Sequence, residues 1–436
     1  MIAEMMRPAM PPSLWAETVR ETFDAPPLTG DADVDVAIVG AGFTGLSTAL
    51  HLARGGARVV ALDAGEPGWG ASGRNGGQVI AGLKDDPDAL DARFGAADGG
   101  LMAETAGSAP ALVFSLIEEF GIDCDVQKAG WIQPAHCDSA LATVRRRCGE
   151  WAARGAPARM LDAGEVATLL GSRADAYRGG WLDERGGAVQ PLAYARGLAR
   201  AAAACGAAVH GRSRATALTR EGERWRLDLE NGVTVRADQI VLATNGYTDG
   251  LWPGLRQTVV PVYSFQTASQ PLSHNARAAI FPNDHVASDT RRLLWYFRLS
   301  REGRLVMGGR GPYRETPGED AARMALKNLE TLFPEAGPLE PSFSWAGRVA
   351  MTRDHFPHLH QLSRGLWAGL GFNGRGVAMG TMMGRCLAQA VRGETPGMPV
   401  TRPERFKFHG FGRWGVAAYA ALYRRRDARE AADPSL

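Results

Sequence analysis

The chain is short of the features that would take it out of a reducing, aqueous compartment. It has only five cysteines (Cys124, Cys137, Cys148, Cys205 and Cys386), an odd number without a C-x-x-C pair. That spacing excludes a disulfide framework and a cysteine zinc site, and fits reduced thiols in a bacterial-type cytoplasm. No apolar run approaches the roughly 18 residues of a membrane helix. Residues 1–14 have no charged stretch followed by an apolar one, so no secretory signal is read. Neither sign of charge dominates: the net charge is +2 and the basic residues are spread, which calls for no nucleic acid. Internal repeats and low-complexity tracts are missing. Nine histidines form no H-x-x-x-H pair on a helical stretch. His355, His358 and His360 cluster in a Pro-containing segment that reads as a solvated loop, so no metal site is expected.

What is present is an ordinary globular balance, 45% hydrophobic and 22% charged, over 436 residues. That length is too great for one compact core and points to two domains. Residues 1–30 are Pro-rich and aperiodic and read as an arm on the surface. Residues 35–39 and 58–62 are short apolar runs on either side of a helical pattern at 43–54, together a β-α-β unit. Residues 191–205 read as a helix, with the Ala-rich stretch 199–208 offering small residues for its packing face. Residues 225–230 and 233–236 flank Asn231-Gly232, a hairpin signal whose two turn positions need positive φ. Residues 239–243 are another buried strand. Residues 259–269 and 291–309, rich in β-branched and aromatic residues, read as strands of a different sheet. A strand at 366–371 runs into a Gly-rich loop, with a helix at 376–391 behind it.

The expected fold is therefore α/β: a discontinuous Rossmann-like dinucleotide domain in segments 31–90, 187–258 and 345–395. A β-rich (α+β) substrate domain is inserted as 91–186 and 259–344, and 396–436 is a tail. Within that tail 411–431 is an amphipathic candidate containing Arg424, Arg425 and Arg426. It reads as a solvated helix or an oligomer contact in preference to a membrane-surface contact.

Four motifs carry chemistry. In Gly40-Ala41-Gly42-Phe43-Thr44-Gly45, Gly40 permits a tight turn, Gly42 lets the backbone approach a pyrophosphate, and Gly45 lets helix and strand pack closely. The helix N-terminus supplies N–H groups and a positive dipole end. Asp63 ends the second strand roughly 20 residues on, where a carboxylate accepts from ribose hydroxyls. With strand, helix, strand and acid all in place, the motif reads as dinucleotide-binding over a plain Gly-rich turn. The second motif, Gly70-Ala71-Ser72-Gly73-Arg74-Asn75-Gly76-Gly77-Gln78, combines small residues that admit a flat ligand with hydrogen-bonding side chains. A surface loop is its plainer alternative. The third, Ala243-Thr244-Asn245-Gly246, ends the middle strand, where open α/β sheets bind ligands; a strand-terminating turn fits equally. The fourth, Gly371-Phe372-Asn373-Gly374-Arg375-Gly376, leads into the last helix, whose N-terminus favours negative charge on a ligand. An ordinary N-capped helix is the alternative there.

In this order and at these spacings the four strings resemble the D-amino-acid-oxidase-like FAD-dependent oxidoreductases. That family includes glycine and sarcosine oxidases, D-amino acid dehydrogenases and γ-glutamylputrescine oxidase. ASGRNGGQ at 71–78, ATNGYT at 243–248 and GFNGRGVAMG at 371–380 are most similar to the γ-glutamylputrescine oxidase branch. The likeness runs from about residue 31 to about residue 391. The resemblance implies FAD. It implies Gly40, Gly42, Gly45, Asp63 and Ser72 at the ADP half, with Ala215 where the family usually puts a valine beside adenine, and Phe43, Thr44, Ala64, Ala71 and Val377 as further FAD-binding residues. Ala243, Thr244 and Gly246 would follow the strand end. Arg74, Asn75, Gly76, Gly77, Gln78, Gly371, Phe372, Asn373, Gly374, Arg375 and Gly376 would surround the isoalloxazine ring.

The chain also departs from its relatives. Amino-acid-oxidising members often carry G-L-R-P, whose arginine clamps a substrate carboxylate. Counting back from Met351-Thr352, that place holds Val349, and Arg348 stands one residue early. One place on a strand turns a side chain to the opposite face, which argues against Arg348 as a simple clamp. The sarcosine oxidase lysine two residues after the last motif is Ala378 here, and a second lysine has no counterpart at 304–310. Their flavin-linking cysteine is missing near Gly347, so FAD is expected to be non-covalent. Tyr263, Trp295, Tyr296, Phe297, Arg298, Trp345 and Phe372 remain as wall candidates, although aromatics on strands are more often core. Alternation sends Tyr296 and Arg298 to one face, and the candidate catalytic set is Tyr296, Arg298, Phe372 and Tyr263.

The implied reaction is oxidation of the C–N bond of a small amine or amino acid, a γ-glutamylputrescine-like amine being favoured. Hydride passes to flavin N5 and the imine is then hydrolysed. Oxygen or a quinone would be the electron acceptor. D-amino acid or N-methyl amino acid oxidation, an NAD(P)-dependent dehydrogenase and a non-catalytic electron-relay subunit are the alternatives.

Overall fold

The computed structural model describes residues 10–310, 318–407, 409, 423, 425–427, 429 and 430. A parallel strand is covered on both faces and must be apolar on both. Val36, Ala37, Ile38 and Val39 meet that condition and end the central strand Ala32–Val39. It pairs in parallel with Val59–Leu62 on one side and Thr234–Leu242 on the other. Ala208–His210 extends the sheet beyond the former and Leu366–Leu370 beyond the latter, both in parallel. His358–Ser363 adds an antiparallel strand, and Val400–Thr401 closes that edge. Helices Phe43–Arg54, Pro87–Phe120, Pro191–Ala204 and Gly376–Val391 share one buried apolar cluster with this sheet.

The second sheet has eight strands in the order Pro341–Met351, Val260–Pro271, Arg304–Arg310, Tyr296–Leu299, Val286–Ser288, Trp131–Ala135, Gly179–Asp183 and Ala158–Leu161. Only the contact of Val286–Ser288 with Trp131–Ala135 is parallel. Helix Glu319–Leu332 covers it through Ala325, Leu326 and Leu329, which join Phe281, Phe297 and Phe333 in a separate core. Strand Pro341–Met351 belongs wholly to this sheet and runs across the boundary placed between 344 and 345.

Several local readings need correction. The arm at 1–30 is not confined to the surface: helix Leu14–Thr18 puts Leu14 and Trp15 into the interior at 0% and 1% exposure. The hairpin at Asn231-Gly232 forms, but only Gly232 has positive φ, and its N–H bonds the Leu229 carbonyl at 3.0 Å. The turn is thus longer than the two-residue type, and the segments read as 233–236 and 239–243 are one strand, Thr234–Leu242. Helix Pro87–Phe120 is long and apolar enough by composition to cross a membrane, against the expectation that no run comes close. It is broken at Gly95, and its apolar residues, Met102, Ala106, Val113 and Leu116 among them, are spent on the core. Of the three clustered histidines, His358 and His360 lie in strand His358–Ser363 and not in a solvated loop, while His355 sits in the bend before it. His358 and His360 stack at 5.1 Å, and His360 is 1% exposed with Nδ1 donating to the Thr401 carbonyl at 2.8 Å. Much of 411–431, including Arg424, lies outside the described residues. Asp427 and Glu430, which are described, bind Arg292, and Glu430 also faces His136 at 3.0 Å.

Burial pushes the His360 imidazole down to about 4, and Nε2 has no partner that a second proton would serve. A folded pKa below the unfolded value contributes stability that is complete above about 6.5 and is lost as pH falls towards about 4. Thermal stability is expected to fall through that window, by up to about 3 kcal/mol from this one group. His360→Asn, which keeps a donor for the Thr401 carbonyl, should flatten the slope in a pH series of melting curves. An identical slope in the variant would contradict the assignment.

Candidate active site

The carboxyl ends of the parallel strands and the facing side of the second sheet enclose a cleft of about 660 Å³, a size suited to a bound small molecule. Residues from all four motifs line it. Gly40, Gly42, Phe43, Thr44, Asp63, Ala64, Ala71, Ser72, Arg74, Asn75, Gly76 and Gln78 form one side, with Ala215 near one end. Ala243, Thr244, Gly246, Phe372, Asn373, Gly374, Gly376 and Val377 form the other.

The geometry of the first motif follows from its glycines. Gly40 turns at φ +108°, and a Cβ on Gly45 would lie 1.8 Å from the Gly40 carbonyl oxygen, so only glycine allows this helix to start here. A Cβ on Gly42 would meet Ser72 Oγ at 2.8 Å. That hydroxyl accepts the Phe43 N–H at 3.0 Å and ties the first two motifs together. Asp63 accepts from the N–H groups of Ala41 at 2.7 Å and Gly65 at 2.9 Å. Desolvation raises its carboxyl pKa, and the two N–H bonds oppose that shift. The third and fourth motifs are joined by Asn245, whose Oδ1 accepts the Gly371 N–H at 2.9 Å. Neither Gly42 nor Arg375 caps its helix with a side chain, and apart from the Phe43 N–H taken by Ser72 the two helix N-termini stand at the cleft through Thr44 and through Gly376 and Val377.

Four of the expected cofactor residues do not line the cleft. Gly45 and Gly77 sit behind it, Gly77 at φ +73° with a Cβ position 2.1 Å from the Val189 carbonyl oxygen. Gly371 turns at φ +84° against Thr352. Arg375 points away, donating to the Ala81 carbonyl beside Trp131, and burial lowers its pKa to about 10.

Of the candidate catalytic residues, Tyr263, Tyr296 and Phe372 face the cleft and Arg298 does not. Arg298 shares the face of Tyr296, but Gly76 and Gly77 cover it. It donates to the Val189 carbonyl at 2.8 Å and lies near the Gly76 carbonyl at 3.5 Å, and burial lowers its pKa to about 10. Its environment is structural. Trp295, Phe297 and Trp345 pack in cores.

Arg348, argued above to face away, lines the cleft. Its Nε donates to the Tyr263 hydroxyl at 3.1 Å, and its guanidinium lies 5.0 Å from the Tyr247 ring centre. Arg74 donates to the Tyr247 hydroxyl at 2.6 Å, so one tyrosine connects two cationic side chains. Tyr296 shares a hydrogen bond with Ser264 at 2.8 Å, and burial pushes its phenol up to about 12. Gln266, 1% exposed, gives its Nε2 to the Arg74 carbonyl at 2.5 Å, while Oε1 has no partner. Sequence reasoning passed over Tyr247, Ser264 and Gln266; Tyr247 stood inside the quoted ATNGYT string, and the other two carried no signal. Among the described residues, the acidic residues lining the cleft are Asp63 and Asp249, the latter paired with Arg214 at 3.1 Å. Among the described residues, the wall from the second sheet therefore carries Arg348 and no carboxylate.

The family profile described as FAD dependent oxidoreductase matches residues 35–390. The chain is 30% identical over 362 residues to the gamma-glutamylputrescine oxidoreductase of Escherichia coli K12, covering 83% of this chain and 84% of that protein. It is 29% identical over 390 residues to the probable oxidoreductase OrdL of Haemophilus influenzae, covering 88% of each. The crystal structure of glycine oxidase from Geobacillus kaustophilus superposes with a TM-score of 0.73 at 22% identity, over 86% of this chain and 99% of that one. The cofactor is accordingly FAD. The cleft fits it in three respects: side-chain-free approaches at Gly40 and Gly42, two helix N-termini, and the unpartnered Gln266 Oε1 inside.

Asp63→Ala is expected to weaken FAD binding about 10- to 100-fold, the range for loss of hydrogen bonds to a charged group. Titrating the apoprotein with FAD and following flavin fluorescence measures it; an unchanged affinity would remove Asp63 from the ribose site.

Proposed function

The chain belongs to the FAD-dependent oxidoreductase family, and from that premise we propose that it oxidises the C–N bond of a small amine bearing a remote carboxylate, a γ-glutamylputrescine-like amine. Its action on amines or amino acids rests on the family and the similar proteins. The finer reading is supported by one observation: the cleft wall contributed by the second sheet offers the Arg348 guanidinium beside Tyr247 and Tyr263. Arg348 would grip the remote carboxylate, a charge-assisted contact that fixes orientation. The division of the chain into FAD and substrate segments remains part of the same proposal.

FAD, when bound, supplies the hydride acceptor. The amine reacts uncharged, because its nitrogen lone pair must be free to close the C=N bond, and the cleft wall beside it carries the cationic side chains of Arg348 and Arg74. As a hydride leaves the carbon, the nitrogen lone pair closes the C=N bond and a proton leaves nitrogen; water then hydrolyses the imine to a carbonyl compound and, from a primary amine, ammonia. Tyr296 stays protonated at neutral pH and, anchored by Ser264, is a neutral polar contact for the nitrogen and not a base. Phe372, 8% exposed, excludes water from the same space. Oxygen or a quinone receives the electrons afterwards.

γ-Glutamylputrescine is expected to reduce the flavin anaerobically far faster than free putrescine. Arg348→Met should lower kcat/KM for the former about 10- to 100-fold, mainly through KM, with little change for the latter. Equal rates for the two amines in the native enzyme would overturn the carboxylate reading.

A further inference from the structure

The cleft loop at 74–77 is held from behind by donors from widely separated parts of the chain. The Arg74 carbonyl accepts from Trp345 Nε1 at 3.0 Å and Gln266 Nε2 at 2.5 Å. The Asn75 carbonyl accepts from Trp15 Nε1 at 2.8 Å. The Gly77 carbonyl accepts from the Val189 N–H at 2.9 Å. Trp15 is itself fixed: it is 1% exposed, packs edge-on against Trp345 at 5.7 Å, and its own carbonyl accepts from Gln190 at 2.8 Å.

In a trans peptide the carbonyl and the following N–H lie in one plane and point in opposite directions. All peptide bonds described are trans. Anchoring the Arg74 and Asn75 carbonyls on the Trp15–Trp345 side therefore turns the N–H groups of Asn75 and Gly76 the other way. Those two residues line the cleft, and their N–H groups make no hydrogen bond within the described residues. The Gly77 N–H, by contrast, is used internally by Asn75 Oδ1 at 2.8 Å. Two consecutive unpaired N–H groups facing a cleft are a donor pair awaiting a ligand.

We propose that Trp15 is a positioning residue for the flavin: its indole N–H, working with Trp345, aims the Asn75 and Gly76 N–H pair at the isoalloxazine ring. Oxidised flavin is neutral and reduced flavin is anionic at neutral pH, so the pair stabilises the reduced form more and raises the reduction potential. This gives the N-terminal arm a chemical role. It rests on FAD in the cleft and is independent of which amine is oxidised.

The test uses the FAD-loaded full chain and Trp15→Phe, which keeps an aromatic ring and removes only the N–H. Sulfite adds to flavin N5 to leave an anionic adduct, and its binding is read from bleaching of the visible band. Sulfite affinity is expected to fall about three- to tenfold, the worth of one hydrogen bond. The midpoint potential should move to more negative values. Leu14→Ala, which loosens the same helix without touching the N–H, should lower the melting temperature and leave both quantities unchanged. Should Trp15→Phe fail to fold, Trp345→Phe removes the partner donor to the Arg74 carbonyl and is expected to shift both readings in the same direction. Native sulfite affinity and potential in the folded tryptophan variant would overturn the proposal. So would a shift in Leu14→Ala as large as that in Trp15→Phe.

Discussion

A pyrophosphate can lie against a strand–helix junction only if no side chain stands between backbone and ligand, and the rest of this architecture depends on that requirement. Gly40, Gly42 and Gly45 satisfy it within six residues, and the 1.8 Å approach at Gly45 shows how little space remains for any substitute. Once that turn exists, Ser72 can reach the Phe43 N–H, and the loop that follows is carried to the boundary between the two sheets. The third and fourth motifs are brought to the same place by parallel pairing of their strands and joined by one Asn245 hydrogen bond. Residues more than 300 positions apart thus share one cleft because three strands end at one level.

The second constraint is electrostatic. Arg298 and Arg375 are desolvated and satisfied largely by backbone carbonyls, which hold them behind the cleft as structural cations. Arg74 and Arg348 stand at its inner wall, joined through Tyr247 and Tyr263. On the proposed reading, phosphate would lie at the helix N-terminus and a substrate carboxylate at the wall that carries Arg348.

Much of this was legible in the sequence, for identifiable reasons. A β-α-β unit announces itself through periodicity, and the helices Phe43–Arg54 and Gly376–Val391 begin and end where their glycines and apolar spacing predict. What was misjudged depends on contacts with distant segments. Period-2 alternation correctly put Tyr296 and Arg298 on one face, but it carries no information about what covers each residue: Gly76 and Gly77 cap Arg298 and leave Tyr296 at the cleft. Alternation also argued against Arg348, yet its long side chain reaches the Tyr263 hydroxyl on the paired strand. Trp15 was hidden in an aperiodic Pro-rich arm, because burial by residues 60 and 330 positions away leaves no local pattern.

The account stands or falls on removal of a hydride from the carbon of a C–N bond by flavin held in this cleft. The most direct measurement mixes the anaerobic enzyme with γ-glutamylputrescine, with and without deuterium on the carbon bearing the free amine, and follows bleaching of the flavin in a stopped-flow spectrometer. The account predicts a yellow protein that bleaches rapidly, and a several-fold slower bleaching with the deuterated substrate. A colourless protein that takes up no FAD, or bleaching indifferent to the deuterium in a single turnover limited by that step, would contradict it.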